Sequence, residues 1–304
     1  MVPAPVFANR NSCGSPAGSK CAVRHADFRE FEVDLSALLC YTGKYDILRE
    51  IQKEGAAMYT FDSRVRYSET DENGELTPLA MINYLQDCST FQSEQLGVGI
   101  AWLREKKRAW LLNSWKILID RTPSLGEAIH IGTFAYGFKG IYGYRHFFIR
   151  DASGAFCVRA DSIWFLCDTE TMTPVKATDE FTAPYLKGEG IELGMGAIKR
   201  KIPLPGNMKL AGKIPVMRHH LDTNHHVNNA QYVNIALEAV GIRHPSEIRA
   251  EYRRAAVLGD ELSVYTGPDG EGGTVASVCS ADEKPYAIIA FPERTEDKEG
   301  RETV

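Results

Sequence analysis

The chain of 304 residues contains no CxxC pair, no GxSxG stretch and no apolar run near the ~18 residues that a membrane helix requires. The missing GxSxG removes the serine-nucleophile turn of α/β hydrolases. Cys13, Cys21, Cys40, Cys88, Cys157, Cys167 and Cys279 are odd in number and irregularly spaced. That pattern argues against a disulfide framework or a zinc knuckle, and we expect reduced thiols in a cytoplasmic protein. The first twenty residues lack the apolar stretch of a secretion signal. Net charge is only −5, too small for a nucleic-acid footprint or an anionic tail. Two local basic clusters, Arg104 with Lys106 to Arg108 and Lys199 to Lys201, read as solvated surface, with an acidic docking partner as the alternative.

What the chain does have is an internal repeat. TDENGELTPLAMIN at 70–83 and LDTNHHVNNAQYVN at 221–234 share one frame: Asp71 matches Asp222, Asn73 matches Asn224, Leu76 matches Val227 and Asn83 matches Asn234, at an offset of 151. KILIDRTPSLGEAI at 116–129 then aligns with RAEYRRAAVLGDEL at 249–262, so the first copy holds 18 more residues between the two blocks. Each copy predicts one element order: a short strand, a polar turn, a helix, then three or four strands. Met81, Leu85 and Cys88 in one helix, and Val233, Ala236, Leu237 and Val240 in the other, form apolar stripes at helical spacing. AWLLNSWKILIDR, EAIHIGTFAYGF, YGYRHFFIRDA and AFCVRADSIWFLCD read as strands of the first copy; EIRAEYRRAAVL, ELSVYTG, GTVASVCS and PYAIIAFPE read as those of the second.

The architecture expected is α+β, one long helix on an antiparallel sheet in each copy, with the two sheets joined edge to edge as in a fused homodimer. The domains predicted are a poorly structured extension over 1–57, a first copy over 58–188, a flexible connector over 189–207, a second copy over 208–294 and a tail over 295–304.

The polar turn before the second helix is where chemistry is expected. Helix N-terminal amides lack intrahelical partners and favour a developing negative charge. Asp222, Asn224 and His226, at i, i+2 and i+4 of an extended approach, would project to one side and join a carboxylate, an amide and an imidazole there. Capping alone would serve as well for Asp71 and Asn73, yet the first copy carries Glu75 where the second has His226. Adjacent histidines point to opposite faces of an extended chain, so no metal site is called for; His219, His220 and His225 are expected to be solvated.

RVRYSETDENGELTPLAMINYLQD, DTNHHVNNAQYVNIALEAV and EYRR followed by LGDEL resemble the acyl-acyl carrier protein thioesterases, plant and bacterial, over about 58–292. The resemblance implies a double hotdog fold that hydrolyses fatty acyl thioesters on acyl carrier protein, with the acyl chain in the first hotdog and the chemistry in the second. It places the family's catalytic Asp, Asn and His on Asp222, Asn224 and His226, needs no cofactor, and names acyl carrier protein as partner, with no nucleic acid and no membrane insertion; a homodimer stays open. The plant enzymes follow Tyr-Arg-Arg with Glu-Cys, where this chain has Ala255 and Ala256, so a thiol mechanism has no nucleophile at that position.

The mechanism expected is direct water attack. His226 and Asp222 activate or orient the water, Asn224 holds the thioester, and the helix N-terminus at Asn228 and Asn229 stabilises the oxyanion. Met81, Leu85, Cys88, Trp110, Leu112 and Trp115 are the expected acyl-chain contacts, with core packing the stronger reading for any one of them because an apolar stripe is needed there in any case. Two alternatives are an acyl-CoA thioesterase on the same fold and a non-catalytic acyl-thioester binder.

Overall fold

The computed structural model describes residues 58–187 and 190–293. The extension expected over 1–57 and the tail from 295 lie outside the described residues. The first half contains β1 (Met58–Arg64), α1 (Pro78–Gln95), α2 (Ile100–Glu105), β2 (Arg108–Ile119), β3 (Ala128–Lys139), β4 (Tyr142–Asp151), β5 (Phe156–Asp168), the two-residue β6 (Thr173–Pro174) and α3 (Asp179–Thr182). The second contains β7 (Lys209–Pro215), α4 (Asn229–Val240), β8 (Glu247–Tyr252), β9 (Glu261–Pro268), β10 (Thr274–Cys279) and β11 (Pro285–Phe291).

Local chemistry starts and stops the helices. Thr77 Oγ1 accepts from the N–H of Ala80 at 3.2 Å, and Pro78, whose missing N–H costs nothing at a first position, opens α1. Asn228 Oδ1 accepts from the N–H of Ala230 at 2.8 Å to open α4, which ends at Gly241 with φ 71°, a left-handed conformation that favours glycine.

The strands form one antiparallel sheet in the order β1-β3-β4-β5-β2-β8-β11-β10-β9-β7, with β6 on β5. The halves meet at β2 and β8, where Ser114 pairs with Glu251 and Ile117 with Ile248. Both helices pack on the same face. Met81, Leu85 and Cys88 of α1 and Val233, Ala236 and Leu237 of α4 join one apolar core with Trp115, Phe147, Ile248 and Ile289 of the sheet. This is the α+β arrangement the repeat implied.

The repeat extends to individual hydrogen bonds. Thr77 N–H donates to Glu69 O as Asn228 N–H donates to His220 O, and Leu76 N–H donates to Pro123 O as Val227 N–H donates to Ala256 O. Arg66 N–H donates to the Glu69 carboxylate at 2.9 Å; in the second copy Met217 N–H donates to His220 Nδ1 at 3.0 Å. His220 is therefore a buried turn former, 8% exposed, rather than the solvated residue its neighbours suggested. Burial, with His219 alongside, pulls its pKa down. His219 and His225 are exposed, as expected.

The copies differ in size. Strands β2, β3 and β5 run 12, 12 and 13 residues against six to eight in the second half, and α1 has 18 residues against 12, which leaves room for a cavity under the first helix.

Three expectations are corrected. The segment EIRAEYRRAAVL is strand only to Tyr252, because Arg253 and Arg254 turn away with both N–H groups donating to Tyr286 O. Described residues of the connector are packed, not loose. Leu193 and Met195 bury against Leu118 and Phe148, and Ile202 against Val275, Ile288 and Ala290, on the sheet face opposite the helices. Bare sheet on that side would expose apolar strand residues, and the strap covers them. The first basic cluster is largely paired: Lys106 with Glu180, Lys107 with Glu170 and Arg108 with Asp168, at 2.6–2.7 Å.

Candidate active site

The turn before α4 is closed, not extended. Asp222 N–H donates to His226 O at 2.8 Å, His225 N–H donates to Asp222 O, and Leu221 bridges Val227. Asp222 Oδ1 accepts from the N–H of Asn224 at 2.8 Å and of His226 at 3.2 Å. Asp222, Asn224 and His226 thus sit on one tight loop that returns on itself, and the expected two-residue alternation of a strand plays no part. Asp71 builds the same loop in the first half, accepting from the N–H of Asn73 and Glu75, both at 2.9 Å. Gly74 takes φ 78° there, and His225 is held at φ 62° in the matching place.

All three side chains line one cavity of about 740 Å³, in the range of small-molecule sites. The second half supplies this turn, Asn229 and Arg253 to Ala255; the first half supplies Gln86, Ser89, Trp110, Leu112, Arg145 and Trp164 to the walls. The cavity is assembled within one chain across the β2–β8 seam. Gln86 Nε2 donates to Asn228 Oδ1 at 3.2 Å and ties α1 to the entrance of α4.

Asn228 and Asn229 part company. Asn228 caps the helix, accepts from Gln86 and faces a smaller pocket with Asn83 and Asp87, away from the cavity. Its expected place at an oxyanion site is not where the structure puts it. Asn229 does line the cavity, and the hydroxyl of Tyr252 donates to its carbonyl at 3.0 Å. The N–H groups of Ala230 and Gln231 are taken by Asn228, so among the described residues the amide of Asn229 is the open donor of the first turn.

Of the expected acyl contacts, Trp110 and Leu112 line the cavity. Met81, Leu85, Cys88 and Trp115 are at most 1% exposed and belong to the core. The apolar stripe of α1 faces the sheet, and its flank, Gln86, Ser89, Thr90 and Ser93, faces the cavity. These polar residues were passed over because a hydrophobic period marks the buried face alone. Arg145 and Trp164, on β4 and β5, gave no sequence signal.

Ala255 is exposed on the cavity wall, and Ala256 is fully buried with its N–H donating to Tyr232 Oη at 2.8 Å. Cys167 is the one described cysteine on the wall, 2% exposed, with its thiol pKa raised by burial and by Asp168. Glu251 stays behind the seam, accepting from Ile202 N–H at 2.8 Å and from Arg253 Nε at 2.9 Å. Among the described residues, neither a thiol nor a second carboxylate is bonded to the His226 side chain. Asp71, Glu75 and His244 converge on the surface near the first-half turn, where His244 already sits 3.1 Å from Glu75; they lie off the cavity.

Comparison with known proteins gives one answer. The family model for the acyl-ACP thioesterase N-terminal domain matches residues 57–185, and that for the C-terminal domain matches 207–284. A dodecanoyl-[acyl-carrier-protein] hydrolase of Cinnamomum camphora is 24% identical over 71% of this chain and 60% of its own length. An oleoyl-acyl carrier protein thioesterase of Arabidopsis thaliana is 26% identical over 75% and 65%. Both are chloroplastic, and this chain spans about three-fifths of their length. The fold matches a 12:0-ACP thioesterase from Umbellularia californica (TM-score 0.68, 20% identity, 79% of this chain and 98% of that one). It also matches an acyl-ACP thioesterase from Bacteroides thetaiotaomicron (TM-score 0.64, 20% identity, 78% and 97%). Two domain matches in order, on a tandem helix-on-sheet fold with one polar turn opening into a shared cavity, make the chain a member of the acyl-ACP thioesterase family.

Proposed function

We propose that the chain hydrolyses fatty acyl thioesters carried on acyl carrier protein, by direct attack of water. The observation that carries this reading is that Asp222, Asn224 and His226 line a cavity to which the other half of the molecule contributes walls. A thioester carbonyl at the turn would have its acyl chain under α1.

His226 is the group suited to take a proton from water near neutral pH. One oxygen of Asp222 is engaged by two main-chain amides, which fixes its carboxylate in place at the turn. Asn224 offers a neutral amide to the thioester, and the amide of Asn229 offers a donor to the oxyanion. The thiolate of the carrier's pantetheine leaves. With Ala255 and Ala256 where the plant enzymes carry Glu-Cys, no covalent acyl-enzyme step is assigned.

Acyl carrier protein is the partner supported by the family match, and Arg104, Arg253 and Arg254, exposed at the cavity, would face its acidic surface. A cytoplasmic location is the companion proposal, supported by four described cysteines that are free thiols. The full chain is to be assayed with acyl-ACP and acyl-CoA of matched chains. Faster release of free acid from acyl-ACP, abolished by His226→Ala, is expected; preference for acyl-CoA would move the assignment to a CoA thioesterase, and binding without turnover would make the chain a carrier of thioesters.

A further inference from the structure

The two copies differ at three matched places that bear on one peptide group. Where the first turn has Glu75 the second has His226; where α1 opens with Pro78, α4 opens with Asn229; and where α4 carries Leu237, α1 carries Gln86, all at the offset of 151. Proline has no N–H, so the first-half helix cannot offer the first-turn amide that Asn229 offers at the cavity. Leucine has no donor for a neighbouring cap. Thr77, the cap of α1, is held within its own half, its Oγ1 donating to Glu69 O at 3.1 Å. Asn228, the cap of α4, is held by the other half: Gln86 Nε2 donates to Asn228 Oδ1 at 3.2 Å and lies 3.5 Å from Asn83 Oδ1.

The amide of Gln86 has one orientation there. Asn228 Oδ1 already accepts from Ala230 N–H at 2.8 Å, so the atom of Gln86 that faces it has to be the donating nitrogen. Helix ends fray, and a cap oxygen gripped from two directions cannot swing away from the first turn. Two further contacts hold the same stretch: Tyr252 Oη donates to Asn229 O at 3.0 Å, and Asn228 N–H donates to His220 O at 2.8 Å. Asn229 is thereby fixed from β8, from its own turn and from α1. Of these three, the Gln86 contact comes from the half whose walls would surround the acyl chain. An oxyanion donor is effective when it is already aimed where charge develops, because reorientation at that moment costs much of what the bond returns.

We infer that Gln86 is a positioning residue: acting through the cap side chain of Asn228, it aims the amide of Asn229 at the oxyanion of the reacting thioester. The inference rests on the thioesterase reading above. In the full chain, kcat and KM for acyl-ACP are to be measured for Gln86→Leu, which gives α1 the residue that α4 has at the matched place. kcat should fall by about tenfold to a hundredfold, with KM within about twofold of the parent. Two pantetheine analogues separate aiming from mere support. One is an acyl trifluoromethyl ketone, whose hydrate resembles the tetrahedral intermediate; the other is a thioether with no carbonyl at that position. Gln86→Leu should weaken binding of the ketone by the factor lost in kcat and leave that of the thioether unchanged. An unchanged kcat, or a ketone weakened no more than the thioether, overturns the inference and leaves the thioesterase reading standing. If the unaltered protein hydrolyses no acyl-ACP, that reading fails by itself, and the analogue pair still decides: selective loss of ketone binding in Gln86→Leu supports the inference, and any other pattern overturns it. Gln86→Glu, which keeps the shape and loses the donor at neutral pH, serves if Gln86→Leu does not fold.

Discussion

Asp222 and His226 hold each other through the main chain: the N–H of His226 donates to Asp222 Oδ1 at 3.2 Å, while the N–H of Asp222 donates to the carbonyl of His226 at 2.8 Å. The carboxylate therefore braces the turn, and the proposed mechanism also gives it a part in the chemistry, so a substitution can separate the two. An Asn side chain keeps the accepting oxygen and loses the charge. Asp222→Asn should keep the melting temperature close to that of the parent and lower kcat by about 10²-fold or more, whereas Asp222→Ala should lose both. His226→Ala should lower kcat by about 10²- to 10⁴-fold with little change in stability. Full activity in His226→Ala would end the proposed mechanism.

The strain at His225 is local and removable. Its φ of 62° is the conformation that Gly74 adopts in the first half. His225→Gly should leave stability unchanged or raise it by up to about 1 kcal/mol, as the relief of left-handed strain outweighs the added freedom of the unfolded chain. A clear fall in the midpoint of urea unfolding would show that the imidazole makes a contact that outweighs the strain.

Hydrolysis should resist thiol reagents. The four described cysteines are buried, and the cavity-wall thiol of Cys167 has a raised pKa. Treatment with an alkylating agent under native conditions should leave the rate essentially unchanged. A loss that substrate prevents, traced to Cys167 by mass mapping, would contradict the water mechanism.

On the sheet face away from the helices, Asp161 is buried beside His146 and Tyr136, whose hydroxyl donates to its carboxylate at 3.0 Å. Burial raises the Asp161 pKa to about 6. A carboxyl raised above its unfolded value binds its proton more tightly in the folded protein, so its favourable contribution is complete below about pH 4 and is lost as pH rises through 6. Asp161→Asn should thus be more stable than the parent at pH 8, by about 1 to 3 kcal/mol, and indistinguishable from it near pH 4. His146, whose pKa burial lowers, works in the other direction: its contribution is lost as pH falls below the ordinary imidazole range. Unfolding midpoints of Asp161→Asn at the two pH values test this directly.

The strap between the halves contributes to stability. Ile202 is 4% exposed against Val275, Ile288 and Ala290. Ile202→Ala should cost about 2 to 4 kcal/mol. A cost below ~0.5 kcal/mol would return residues 190–206 to the role of a loose connector.

The repeat alone determined most of the architecture. Apolar stripes at helical spacing and alternating strands require a helix on a sheet, and a frame shared between Asp71 and Asp222 requires the same turn twice, because local periodicity dictates which face a segment must bury. It also marked the turn with Asp222, Asn224 and His226, since their proximity is local along the chain. The cavity was decided by tertiary structure. Which flank of α1 faces empty space depends on the extra length of the first-half strands, and Arg145, Trp164 and Gln86 reach the cavity from three elements far apart in sequence. The same holds for Asn228 and Asn229, adjacent in the chain and facing two different pockets, with Asn228 held by Gln86 of α1, a residue 142 positions away in sequence.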